Sequence, residues 1–114
     1  MAEFMYLFRG GMSGATASPE AMQKNMEKWG AWMQELSAKG IMVAGQPLES
    51  GGMTITGSKM TRTDGPFIEG KEMVGGYLIV KAKDLSEAVL FSKDCPIYQA
   101  EGSVEVRPIM AVTM

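Results

Sequence analysis

The residues best able to carry chemistry lie in one short stretch of the chain, from Asp64 to Tyr77. It holds a carboxylate at Asp64, a neighbouring cation and anion at Lys71 and Glu72, and a phenol at Tyr77. Such groups serve as general acids or bases, and a positioned cation stabilises developing negative charge. We therefore predict a small-molecule site around this stretch, with Asp64, Lys71 and Glu72 as candidate catalytic residues.

Asp64 is the strongest single candidate because its usual local partner is missing. An aspartate in a turn normally accepts a hydrogen bond from the backbone N–H two residues on. Here that residue is Pro66, which has no N–H. The carboxylate must be solvated, bond the Phe67 amide, or pair with a cation. The candidate cations are Arg62, Lys71 and Arg107. The alternative is a turn aspartate selected beside Gly65 for backbone reasons alone.

Four further residues are candidate ligand-binding positions: Gly75, Gly76, Tyr77 and Arg107. The double glycine permits a close backbone approach, and the Tyr77 phenol can donate a hydrogen bond to a ligand. The Arg107 guanidinium can hold a carboxylate or phosphate through two parallel hydrogen bonds. Each has a structural alternative: a solvated loop beside the glycines, a core or interface ring at Tyr77, and an ion pair between Arg107 and Glu105 or Asp64.

Absent residue types exclude several chemistries. The chain has no histidine and one cysteine, Cys95. Without histidine, and with no acidic spacing typical of a calcium loop, we predict no metal site and no cofactor. Cys95 stands beside Pro96 at the predicted end of a helix, where the helix dipole opposes a thiolate. We predict that Cys95 is buried packing.

Composition limits the partners and the compartment. The 114 residues fit one domain, 1–114, and the net charge of −2 argues against a nucleic-acid surface. No apolar run is long enough to span a membrane, and the first residues do not resemble a signal peptide, so we expect a cytoplasmic protein. The chain has 12 methionines. We predict that most of them fill the core, the alternative being a surface that binds soft metals or several partners.

Hydrophobic periodicity predicts two strand–helix–strand units separated by a hairpin. The first unit has strands over 3–9 and 41–45, and a helix with Ser18 as its N-cap. Its apolar stripe is Met22, Met26, Trp29, Met33 and Leu36. A two-residue turn at 57–58 would pair Ile55 with Met60 and Thr54 with Thr61.

The second unit has strands over 76–82 and 103–110, and a helix capped by Asp84 and Glu87. Leu85, Ala88, Val89 and Ser92 form the predicted inner stripe of that helix. This order of elements is typical of an α+β, ferredoxin-like fold, in which both helices cover one face of the sheet. The open face would carry either Phe4, Tyr6 and Phe8 or Met5 and Leu7. Since an open apolar face is usually an interaction surface, we predict a homodimer through it.

Several separated motifs resemble the YCII-related family, in particular its Asp-Gly-Pro-Phe branch. They are Asp64-Gly65-Pro66-Phe67, Glu69, Lys71-Glu72, Gly75-Gly76-Tyr77, Cys95-Pro96 and 104–108. The opening strand, the first helix and 43–45 also fit. The resemblance implies a dimeric α+β barrel and a suspected small-molecule enzyme. Better-studied relatives use a His–Asp pair, which this chain cannot form because it lacks histidine. The alternative function is a non-catalytic ligand-binding or regulatory module that accompanies a sigma-factor-type transcription system.

Overall fold

A four-stranded antiparallel sheet with helices on one side forms the body of the protein. The computed structural model describes residues 1–10, 18–49, 51–64 and 73–112. The strands are β1 (Ala2–Arg9), β2 (Met42–Pro47), β3 (Met53–Thr56), β4 (Thr61–Asp64), β5 (Val74–Ala82) and β6 (Ser103–Pro108). The helices are α1 (Pro19–Ala38), α2 (Leu85–Phe91) and a short 3-10 helix, Pro96–Ala100.

The strand order in the large sheet is β2-β5-β1-β6. Each strand–helix–strand unit therefore places its two strands on either side of a strand from the other unit, which is the split βαβ arrangement. The predicted α+β, ferredoxin-like fold is confirmed. The remaining strands, β3 and β4, pair only with each other and form a separate hairpin.

Alternation along β1 divides its side chains between two environments. Phe4, Tyr6 and Phe8 are buried in the core, while Met5 and Leu7 lie half-buried on the other face. The aromatic face packs against α1, where the Tyr6 and Phe8 rings contact Trp32. Of the two predicted alternatives for the open face, the structure selects Met5 and Leu7.

The caps of the two helices form as the sequence predicts. The Ser18 side chain accepts a hydrogen bond from the Ala21 N–H at 3.1 Å. Asp84 accepts from the Glu87 N–H at 2.9 Å, and the Glu87 carboxylate accepts from the Lys83 N–H at 3.0 Å. The bonds from the Ala21 and Glu87 N–H groups satisfy donors that the first turn of a helix leaves without intrahelical partners, and the bond from Lys83 ties the residue before the N-cap to the helix.

The predicted core stripe of α1 is only half correct. Leu36 is buried, and Trp29 and Met33 pack against the core. Met22 and Met26 are 41% and 70% exposed. They lie in the first half of α1, which contributes no buried residue to the core. Trp32, which the predicted stripe omits, is buried and stacks on Tyr6.

The predicted stripe of α2 and the predicted role of the methionines are also partly wrong. Ala88 and Ser92 are buried, but Leu85 and Val89 are 46% and 50% exposed. No described methionine belongs to the buried core, although Met33 and Met42 pack against it. The described methionines that are clearly exposed are Met1, Met22, Met26, Met53, Met60 and Met110.

The β3–β4 hairpin closes with a longer loop than predicted. Thr56 pairs with Thr61 and Ile55 with Arg62, so residues 57–60 form a four-residue connection. The predicted pairings of Ile55 with Met60 and of Thr54 with Thr61 are both wrong, since Thr54 pairs with Thr63. The physical reason is the loop conformation: Met60 has φ 55° and donates its N–H to the Gly57 carbonyl at 3.0 Å. A two-residue turn has no place for this bond.

Two glycines allow β2 and β5 to lie unusually close together. A Cβ at Gly45 would lie 2.8 Å from the Tyr77 carbonyl oxygen, and a Cβ at Gly76 would lie 3.1 Å from the Gln46 carbonyl oxygen. Both contacts are with backbone atoms, which cannot rotate away. Gly75, by contrast, has nothing nearer than 3.9 Å.

We predict that Gly45→Ala destabilises the fold by about 2 kcal/mol, in the range typical of overpacking. Gly76→Ala should cost less, and Gly75→Ala should stay within about 0.5 kcal/mol because its site has room for a methyl group. Urea unfolding monitored by tryptophan fluorescence measures the three differences. Equal losses of stability in Gly45→Ala and Gly75→Ala would show that the close approach of the β2 and β5 backbones does not exclude side chains at this edge of the sheet.

Candidate functional site

The open face of the large sheet is organised in two rows of side chains that run across the strands. The first row, from β2 to β6, is Ala44, Ile79, Met5 and Arg107. The second row is Gln46, Tyr77, Leu7 and Glu105. Because successive side chains of a strand point to opposite faces, these residues lie on the face away from the buried aromatic side chains of β1. The face therefore has a charged edge at β6, an apolar centre on β1 and β5, and a polar residue at β2.

Two arginines share one carboxylate at the charged edge. Glu105 Oε1 accepts a hydrogen bond from Arg9 Nη1, and Glu105 Oε2 lies 3.8 Å from Arg107 Nε. Arg107 is the more accessible partner, with 69% of its side chain exposed. Its guanidinium has the geometry to bind an added anion through two hydrogen bonds.

Arg107 and Tyr77 are the two predicted ligand-binding side chains that the structure brings to one surface. Tyr77 is half-buried beside Leu7, in the row that ends at Glu105. Adjacent strands are about 4.8 Å apart, so β5 and β6 are separated by roughly 10 Å across β1. A small molecule lying across β1 can reach both side chains.

Gly75 and Gly76 lie at the start of β5, but their surroundings differ from a ligand-binding loop. The close approach at Gly76 is to the backbone of β2, as described above, and the Gly75 carbonyl accepts a hydrogen bond from the Leu48 N–H at 2.9 Å. These contacts hold β2, and Leu48 after it, against β5. Ligand binding by these two glycines stays a prediction.

The three candidate catalytic residues are only partly covered by the structure. Asp64 is the last residue of β4, opposite Met53. Lys71 and Glu72 lie outside the described residues, as do Gly65, Pro66 and Phe67. Their predicted roles, and the assignment to the Asp-Gly-Pro-Phe branch, stay predictions.

Arg9 is a site residue that sequence reasoning missed. The signal was available in the alternation of β1, since Arg9 has the same parity as Met5 and Leu7. Its partner, Glu105, is 96 residues away along the chain. The contact follows only from the pairing of β1 with β6, which sets Leu7 opposite Glu105.

The core side of the sheet contains a small polar cluster that extends from the buried Tyr6 and Ser92 to the exposed Tyr98. The Tyr6 hydroxyl donates to the Ala88 carbonyl, and the Ser92 and Tyr98 hydroxyls are 3.0 Å apart. Burial, with smaller effects from Tyr98 and Cys95, raises the pKa of Tyr6 well above its usual range. Burial also raises the pKa of the Cys95 thiol to about 11. Cys95 is 2% exposed, which confirms the prediction that it is packing.

Two concave surfaces on the described residues lie away from the predicted site. A shallow groove of about 500 Å³ runs along the first half of α1 and is lined by Pro19, Met22, Gln23, Met26 and Glu27. A second hollow of about 340 Å³ lies between α1 and the 3-10 helix. Neither groove includes a predicted site residue. The described residues contain no cluster of acidic or cysteine side chains able to hold a metal ion. None of their helices has the length and apolar character to cross a membrane.

Comparison with known proteins gives a family and a shared fold. The model of the YCII-related domain matches residues 6–113. A similar solved structure is 5-chloro-2-hydroxyhydroquinone dehydrochlorinase from Burkholderia phenoliruptrix AC1100, in complex with 2,5-dihydroxybenzoquinone. It is 20% identical to this chain, with a TM-score of 0.50, and the alignment covers 95% of this chain and 93% of that one. A search of curated proteins finds no match.

We predict that alkaline destabilisation depends on Cys95. The thiol pKa is about 11 in the folded protein and about 8.5 in an unfolded chain, so the unfolded state loses its proton first as the pH rises. Stability should then fall by up to about 1.4 kcal/mol per pH unit between pH 9 and 10. Cys95→Ala should remove most of this slope, whatever its effect on stability at pH 7. The part that remains near pH 10 comes from Tyr6, whose pKa is also raised in the folded protein.

Urea midpoints measured at pH 8, 9 and 10 test this prediction. Because the chain has one cysteine, a colorimetric thiol reagent gives an independent reading, and the native protein at pH 8 should react only as fast as it unfolds. Equal pH slopes for both proteins, or rapid labelling of the native thiol, would contradict it.

Proposed function

This chain belongs to the YCII-related family, and we propose that it binds and converts a small organic anion on the open face of its sheet. The observation that carries the proposal is the charged edge, where Arg9 and Arg107 share Glu105 beside the half-buried Met5 and Leu7. An apolar surface with an exposed arginine at its edge is complementary to a molecule with an apolar body and an anionic group.

Each side chain on this face has a specific role in the proposal. Arg107 binds the anionic group of the ligand, and Tyr77 donates a hydrogen bond from the other side of β1. Met5 and Ile79, in the row that ends at Arg107, contact the apolar body of the ligand. Glu105 holds the two arginines on the same side of the sheet.

Asp64 is the proposed general acid or base, with Lys71 and Glu72 close to it in sequence. A carboxylate suits this role because the chain has no histidine. The fold of the dehydrochlorinase supports the proposal at the level of architecture, since that protein holds a dihydroxybenzoquinone within the same kind of fold. A planar acidic ring of this type matches the chemistry of the open face.

We also propose that two copies of the chain pack with their open faces together. Met5, Leu7, Tyr77 and Ile79 form an apolar centre that α1 and α2 do not cover, because both helices lie on the other side of the sheet. A dimer would shield this centre from water and would enclose a ligand between two sheets. Excluding water from the enclosed site lowers the local dielectric constant, which strengthens the attraction between Arg107 and an anion.

Isothermal titration calorimetry with 2,5-dihydroxybenzoquinone and with benzoate tests the binding site. We expect the wild-type protein to bind at least one probe, and Arg107→Ala to weaken that binding by about 10-fold or more, as for loss of a charged hydrogen bond. Lys24→Ala is the matched control, since it removes an exposed cation from α1 and should change nothing. Equal affinities for wild type and Arg107→Ala, or no binding of either probe, would contradict the proposed ligand class.

Conversion is a separate outcome, measured by mass spectrometry after incubation with 5-chloro-2-hydroxyhydroquinone, from which an acid–base step can remove a proton while chloride leaves, giving a hydroxybenzoquinone and HCl. We expect this loss of HCl with the wild type and not with Asp64→Asn, with binding retained in that variant. Binding without turnover by the wild type would reject the enzymatic role for this reaction and would favour the ligand-binding or regulatory alternative.

Sedimentation equilibrium tests the dimer. We expect the wild type to be dimeric and Leu7→Asp to be monomeric, because a buried carboxylate at the centre of the contact is costly. Leu90→Asp is the control: Leu90 is 57% exposed on α2, on the other side of the sheet. A monomeric wild type, or equal dissociation in both variants, would contradict a dimer through the open face.

A further inference from the structure

We propose that the β3–β4 hairpin is an arm that packs Met53 and Ile55 against a second copy of this chain. The inference rests on the dimer proposed above, and it adds a second contact region outside the open face of the sheet.

The hairpin has two chemically different faces. The pairing of Thr54 with Thr63 and of Thr56 with Thr61 makes one face entirely threonine. The other face carries Met53 and Ile55, with Arg62 and Asp64 as their cross-strand partners. Alternation of this kind is typical of a strand pair with one face covered and one face in water.

The apolar face is uncovered in the single chain. Met53 and Ile55 are 54% and 52% exposed. Thr54, Thr56 and Thr61 are also exposed and Thr63 is half-buried, but a threonine face tolerates water whereas an apolar face does not. An isolated two-stranded hairpin is marginally stable in water, and strands of four residues give few bonds to hold it. Covering Met53 and Ile55 would stabilise both the apolar side chains and the hairpin.

The size of the open sheet face favours a second copy as the covering partner. Four strands at about 4.8 Å spacing and six residues at about 3.3 Å give a flat footprint of roughly 400 Å² per copy. Stable interfaces of standard size bury about 800 Å² per partner. The accessible area of an uneven side-chain surface is larger than this flat projection, which leaves the sheet face at or below standard size. An additional contact region would therefore strengthen the dimer, and a twofold dimer uses each new contact twice.

The position of the hairpin in the chain is suited to this contact. β3 follows β2 after residues 48–52, and β5 is the next strand after β4. The arm thus arises from the β2–β5 side of the sheet whose open face forms the proposed dimer. Methionine adds to the fit, because its flexible side chain adapts to an irregular surface.

Two substitutions on opposite faces of the same strand test the arm. Ile55→Asp puts a carboxylate on the apolar face, and Thr56→Asp puts the same group on the threonine face of the neighbouring residue. Ile55→Thr keeps a β-branched side chain and serves as a milder variant that preserves the strand. Sedimentation velocity over a range of protein concentrations gives the dimer dissociation constant of each protein, and circular dichroism confirms folding.

We expect Ile55→Asp to raise the dissociation constant at least 10-fold, Ile55→Thr to raise it several-fold, and Thr56→Asp to change it less than 3-fold. Unchanged dimerisation in both Ile55 variants would overturn the arm while leaving the sheet-to-sheet dimer intact. Equal weakening by Ile55→Asp and Thr56→Asp would also overturn it, because the effect would not depend on the face. A monomeric wild type would remove the dimer and the arm together.

Discussion

The pairing of β1 between β5 and β6 is the constraint on which the rest of the structure depends. β1 is apolar on both faces, and its neighbours on either side fix which residues share each face. The aromatic face meets Trp32 and Leu36 of α1 and forms the core. The same pairing necessarily turns Met5 and Leu7 to the side that has no helices. One strand thus specifies both the core and the candidate site.

The chemistry of the open face follows from the register of that pairing. A shift of one residue between β1 and β6 would turn Glu105 and Arg107 into the core and expose Val104 and Val106. In the observed register, both valines pack against the core, and the Glu105 carboxylate bonds to Arg9. Burying the two valines and leaving the two charged side chains in water both stabilise this register. The register that stabilises the fold therefore also places the charged cluster.

Sequence patterns predicted the elements and the fold because alternation, helix caps and turn residues are local signals. The N-caps at Ser18 and Asp84 and the two faces of β1 were all identifiable in this way. The predicted stripe of α1 was wrong at Met22 and Met26, since periodicity shows which residues share a helix face but not how far the core extends along it. Trp32 lies on the edge of that stripe, and only packing on Tyr6 distinguishes it.

The candidate site was harder to predict because its members are distant in sequence. Arg107 and Tyr77 were identified as single residues, whereas Arg9 was missed because its role depends on a cross-strand partner. The hairpin loop was misjudged because Met60 adopts a left-handed conformation that non-glycine residues seldom take. Asp64, Lys71 and Glu72 remain sequence predictions, and the proposed acid–base chemistry rests on them.

The most direct test of the account is methyl NMR of the methionines during titration with 2,5-dihydroxybenzoquinone. Met5 lies on the open face, Met33 packs against the core, and Met22 and Met26 line the groove on α1. Binding on the open face predicts a shift of the Met5 methyl signal with those of Met22 and Met26 unchanged. Shifts confined to Met22 and Met26 would place the ligand on the helix side and contradict the account.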